Sequence, residues 1–115
     1  MRISLLLIHF WAAIGAAWSQ TSADDVRKGH QLAATVCSVC HLAAEDQATL
    51  PILHPPAPPF ASIAQRKDLS VESLQKFLTS THRDLATQKG MPNPDLADFQ
   101  VKEAIAYLLS LRKQP

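Results

Sequence analysis

Several things are scarce in this chain, and each scarcity excludes a class. Two cysteines among 115 residues are too few for a disulfide-dense scaffold or a Cys-rich zinc site. Neither charge sign dominates: Lys+Arg number 11 and Asp+Glu 10, a formal net charge of +1. That leaves no electrostatic footprint for nucleic acid, because phosphate binding needs a clear excess of clustered Lys and Arg. β-branched residues are scattered and no window alternates apolar with polar at period two, so a sheet is not expected. With 47% hydrophobic residues the chain is not disordered by composition, and its length suits at most one small domain.

The N-terminal segment reads differently from the rest. Met1 and Arg2 precede an uncharged apolar stretch, Ile3 to Trp18, and the next ionised side chain is Asp24. This is the pattern of a positive n-region and an apolar h-region, and Ala17 and Ser19 suit a signal peptidase cutting before Gln20. An uncleaved anchor is the competing reading, but the stretch is short of the roughly 20 residues that span a bilayer. The expected division is therefore a signal peptide at 1–19, a domain at 20–115, export to the periplasm, and no membrane span after signal removal. Both tryptophans would leave with the signal, and the remaining aromatics are Phe60, Phe77, Phe99 and Tyr107. A small domain with so few large side chains has a marginal core, which a large apolar cofactor would help to fill.

Helix signals dominate the remainder. Val26, Gly29, Leu32, Ala33 and Val36 recur at spacings of three and four, behind a cap at Thr21 or Ser22 and the first-turn acids Asp24 and Asp25, predicting a helix over 23–37. Five of the eight prolines fall between Leu50 and Pro59, which excludes regular hydrogen-bonded structure there. A short helix is expected over 60–65. Another begins after Ser70, with Leu69 packing on Leu74, and runs to Thr79 or Ser80. Residues 81–94 read as a polar loop. A last helix starts between Asp95 and Asp98, carries Val101, Ile105, Leu108 and Leu109 on one face, and ends near Arg112, where Arg112 and Lys113 suit the negative pole of its dipole.

One motif carries specific chemistry. Cys37-Ser38-Val39-Cys40-His41 has the C-x-x-C-H spacing of c-type haem attachment. Two thiols three residues apart reach two vinyl groups on one porphyrin edge, and the adjacent imidazole reaches the iron. A thioredoxin-like C-x-x-C would need a βαβ context, zinc would need more ligands, and a plain disulfide leaves His41 without a role. For a second axial ligand, methionine opposite histidine raises the potential. Met91, flanked by Gly90 and Pro92 rather than set on an apolar helix face, is the expected ligand, with His82 its main rival and an open position next. His30 reads as a surface or packing residue and His54 as a loop polar group.

Together these segments resemble a bacterial class I monohaem c-type cytochrome. Gly29 through His41 is similar to the family's N-terminal helix and motif, Gly90-Met91-Pro92 to its axial-methionine loop, and Ile105 through Leu111 to its last helix. The resemblance implies an all-α cytochrome c fold, three to five helices around one covalently attached haem, with N- and C-terminal helices crossing and Tyr107 packed over Gly29. Close approach is physically reasonable there, since crossing helices come nearest where one lacks a Cβ. The resemblance also implies that a proline carbonyl fixes the proximal imidazole; Ala57-Pro58-Pro59-Phe60 matches that segment, giving Pro58 or Pro59, while Leu50 to Pro56 is an extra, insertion-like stretch. The implied function is one-electron transfer without substrate turnover, through haem c held by Cys37, Cys40, His41 and Met91. The implied partners are redox proteins, with the chain a monomer or a subunit of a redox complex. The alternative is a haem c sensor or a small cytochrome subunit of a larger oxidoreductase.

Overall fold

The computed structural model describes residues 21–80 and 90–112, so the expectations for the segment before Thr21, for His82 and for Lys113 lie outside the described residues. Four α-helices follow in order: α1 (Ala23–Thr35), α2 (Phe60–Ala64), α3 (Val71–Thr79) and α4 (Asp98–Ser110), with a 3-10 turn at Cys37–Val39 between the first two. No strand occurs among the described residues.

Ser22 settles the start of α1, its hydroxyl accepting from the Asp25 N–H at 3.0 Å. The helix stops at Thr35, two residues short of the predicted end, because Val36 becomes its C-cap. Val36 is consequently 44% exposed rather than part of the buried face. Gly29 and Ala33 are the fully buried positions of that face. A reciprocal pair starts α3: the Ser73 N–H donates to Ser70 Oγ at 3.1 Å and the Ser70 N–H donates to Ser73 Oγ at 2.8 Å. Leu69 and Leu74 both join the core, as a staple at a helix start requires.

The most extensive packing is between α1 and α4. Its closest point is Gly29, where an added Cβ would lie 1.9 Å from the Glu103 carbonyl oxygen and 2.7 Å from Tyr107 Cβ. Only a residue without a side chain lets the two backbones meet this way. An ion pair between Lys102 Nζ and Asp25 Oδ2 at 3.0 Å bridges the same helices. On α4, Val101, Ile105 and Leu108 are buried as predicted, along with Ala104, Ala106 and Tyr107.

The end of α4 departs from expectation. No basic residue sits in its last turn. Arg112 reaches instead across the fold, with Nε donating to the Ala64 carbonyl at 3.1 Å and Nη2 to the Leu69 carbonyl at 2.7 Å. The orphan carbonyls it satisfies belong to α2 and the turn after it, where a guanidinium supplies two donors in a fixed fork.

Candidate functional site

The C-x-x-C-H segment forms a tight turn immediately after α1. The Cys40 and His41 N–H groups both donate to the Cys37 carbonyl, at 3.2 and 2.9 Å. Ser38 is buried, and its hydroxyl donates back to the Ala34 carbonyl at 2.7 Å, joining the turn to the helix end. Cys37 and Cys40 are both partly buried and neither is in a disulfide. Burial, then the neighbouring Cys40, pushes the Cys37 thiol up to about 11. Thiol–disulfide exchange requires a ready thiolate, so this environment opposes the thioredoxin-like alternative. Among the described residues no group of three His, Cys, Asp or Glu side chains is placed to hold a metal ion.

The proline-rich loop closes over this turn through its backbone. Ile52 N–H donates to the Val39 carbonyl at 2.9 Å, Ala57 N–H to the Cys40 carbonyl at 2.9 Å, and Phe60 N–H to the Leu42 carbonyl at 3.0 Å. His41 and Ala57 form an isolated parallel bridge. His41 Nδ1 lies 2.7 Å from the Pro58 carbonyl oxygen. A carbonyl only accepts, so Nδ1 carries the proton and Nε2 keeps its lone pair, the tautomer an iron ligand needs. Of the two candidate prolines, Pro58 is therefore the one in contact. Phe60 adds an edge-on ring contact to His41, centroids 5.4 Å apart.

Two supporting contacts have no signal in the sequence, the Gln47 carboxamide and the Tyr107 hydroxyl. Gln47 Oε1 accepts from the Ala43 and Ala44 N–H groups at 2.7 and 3.1 Å, while Nε2 donates to the Thr49 carbonyl at 2.7 Å and, more weakly, to the His41 carbonyl at 3.4 Å. One carboxamide thus ties down the chain on the C-terminal side of His41. The Tyr107 hydroxyl donates to the Ala43 carbonyl at 3.1 Å. Burial, then the charges of Asp46 and Glu45, raises its pKa above the ordinary 10.0, so it stays a donor. Neither contact has a local pattern in the sequence, because each depends on where a loop or a distant helix arrives.

The other predicted residues fall in different places. Met91 is partly buried in the irregular segment before α4, and Gly90 has φ 155°, a conformation that side chains disfavour. His30 Nε2 is 2.6 Å from Asp46 Oδ1, and its ring meets Tyr107 edge-on at 5.2 Å. His54 is exposed. A groove of about 510 Å³ between the start of α1, α3 and α4 includes no residue of the Cys37–His41 turn.

This donor set suits haem c: two partly buried thiols on one turn, and beside them an imidazole held in the ligating tautomer. Comparison with known proteins agrees. The Cytochrome c family model matches residues 26–112. A relative from Bradyrhizobium diazoefficiens, cytochrome c-552, is 33% identical over 112 residues, covering 97% of this chain and 99% of its own. No solved structure matches the chain. The matched span includes the turn, the loop that covers it and the helix crossing, and the fold is all-α as the resemblance implied. The chain belongs to the cytochrome c family, as a class I c-type cytochrome that carries electrons on one covalently bound, iron-containing haem c.

Proposed function

We propose that this chain is an exported one-electron carrier in which Cys37 and Cys40 form the thioethers to haem c and His41 and Met91 are the axial ligands. The observation that carries this reading is the 2.7 Å contact from His41 Nδ1 to the Pro58 carbonyl. It orients the ring and leaves Nε2 free for iron. When bound, the haem supplies the reversible Fe(III)/Fe(II) couple. The chain's own residues do the rest. Cys37 and Cys40 hold the macrocycle edge, His41 is kept in one tautomer by Pro58 and in one plane by Phe60, and Met91 supplies a soft ligand that favours Fe(II). No substrate is turned over, and the redox partners exchange only electrons.

Export follows from the segment read as a signal peptide at 1–19, leaving 20–115 as a periplasmic domain; no helix among the described residues is long and apolar enough to cross a membrane. The test is a pair of absorption spectra, oxidised and reduced, with a pyridine haemochrome, on wild type and Met91→Ala. Wild type should give a c-type haemochrome and a narrow low-spin reduced spectrum. Met91→Ala should keep the haem while changing the spin state and lowering the potential. An unchanged spectrum would remove Met91 from the iron and make His82 the next ligand to replace. Carbon monoxide binding by the reduced wild type would favour a gas sensor over a carrier.

A further inference from the structure

α2 is too short to hold itself. Its five residues, Phe60–Ala64, fall well under the length at which a helix is stable alone, and its N-cap Pro59 supplies no side-chain bond. Yet the chain at its start carries both groups that touch the His41 ring: the Pro58 carbonyl, 2.7 Å from Nδ1, and the Phe60 ring, its centroid 5.4 Å away. Whatever seats α2 therefore sets the surroundings of that imidazole.

The other end of α2 is clamped to the end of α4 in both directions. Arg112 Nε donates at 3.1 Å to the Ala64 carbonyl, one of those that a helix end leaves without a partner. Nη2 of the same guanidinium donates to the Leu69 carbonyl at 2.7 Å, so one fork also holds the turn into α3. In return, Gln65 Nε2 donates to the Leu111 carbonyl at 3.0 Å. Ala64 is fully buried, so without Arg112 its carbonyl stays unpaired until α2 shifts toward water. At 1.5 Å of rise per residue, Ala64 lies only about 6 Å along the axis from Phe60, and a shift at one end is felt at the other. The bond from His41 Nδ1 to Pro58 weakens steeply as its length and angle leave the favoured range.

Resting on the reading of His41 as an iron ligand, we propose that Arg112 is a positioning residue for that ligand. Its fork, completed by Gln65, seats α2 against the end of α4, and α2 holds the Pro58 carbonyl and the Phe60 ring against the imidazole. A residue near the far end of the chain thus sets the hydrogen bond that orients His41 and strengthens it as a donor.

The test follows the His41 Nδ1–H proton by NMR in reduced holoprotein and measures the reduction potential of the same samples. The variants are Arg112→Gln, Gln65→Leu and, as a measure of plain destabilisation, Ser22→Ala, which loses the α1 cap and none of the clamp. Arg112→Gln should speed exchange of that proton with water about tenfold beyond Ser22→Ala and move its resonance upfield. The potential should rise, because an imidazole whose N–H is less well accepted is a weaker donor and favours Fe(III) less. Gln65→Leu should act in the same direction, at about threefold in exchange. Exchange and potential that match Ser22→Ala in both variants would overturn the proposal, leaving Arg112 a stabiliser of the fold and the burial of Phe60 and Ala64 as what seats α2. A fall in potential overturns it as well. Should Arg112→Gln not fold, Gln65→Leu decides by the same readouts. Wild type that carries no haem, or shows no His41 Nδ1–H signal, is a different failure, one that removes the reading of His41 before any variant is compared.

Discussion

The helix crossing and the motif loop are held together by opposite means. Where α1 meets α4, buried side chains and Gly29 bring backbones into contact, and an ion pair from Lys102 to Asp25 at 3.0 Å spans the two helices. From Cys37 to Phe60 there is little regular structure, many side chains are exposed, and shape comes from main-chain carbonyls that each find a donor across the loop. The first region should be sensitive to volume and the second to the loss of a polar partner. A frame fixed by packing carries a site fixed by hydrogen bonds.

The sharpest way to break the first region is Gly29→Ala. Its Cβ would fall 1.9 Å from the Glu103 oxygen and 2.6 Å from the Glu103 carbonyl carbon, backbone atoms that cannot swing aside. We expect a loss of about 3 kcal/mol or more in denaturant unfolding, at the upper end of overpacking effects. In the second region, Gln47→Leu keeps the volume but leaves the Ala43 and Ala44 N–H groups without an acceptor. A loss of about 2 kcal/mol is expected, together with a shift in reduction potential, because the chain just after His41 is released. Should stability fall while the potential stays fixed, Gln47 supports the loop and not the ligand.

Tyr107 belongs to both regions, so Tyr107→Phe tests the connection between them. The ring keeps its contacts with His30 and Phe60 while the Ala43 carbonyl loses its donor, for about 1–2 kcal/mol. Smallest is the His30–Asp46 contact. The bond from His30, above all other causes, holds the Asp46 carboxyl below its ordinary 3.8. A group lowered on folding adds stability above its ordinary pKa and loses it as pH falls through the folded value. Asp46→Asn should therefore show a slight deficit near pH 6 that shrinks as pH falls below the ordinary 3.8, checked by urea unfolding across that range.

What the amino-acid sequence made legible follows the same division. The C-x-x-C-H turn, the Ser70 cap, the Gly29–Tyr107 crossing and the buried face of α4 are local patterns or pairs with a spacing rule, and all are found where expected. Val36 and Arg112 depart from expectation for one reason: helical periodicity in the sequence runs past the residue where the chain turns. Nothing at Val36 signals a C-cap, and the carbonyls that claim Arg112 are 48 and 43 residues away. Gln47 was invisible because a glutamine among loop residues has no spacing to betray it. Choosing Pro58 over Pro59 likewise required knowing which carbonyl faces the ring, which a run of prolines does not encode.

The span of the Tyr107–Ala43 and Gly29–Glu103 contacts has a consequence for the order of events during synthesis. The bonds internal to the Cys37–His41 turn and its junction with α1 close within four residues, so that turn can form early, before the loop and α4 arrive. The crossing needs Glu103 and Tyr107, near the far end, and contacts so distant along the chain close late. Before α4 docks, the chain therefore holds Cys37 and Cys40 on a ready-made turn with nothing packed behind them. Arrival of α4 then ends that interval: its packing against α1 and the reach of Tyr107 to Ala43 set the frame around the turn.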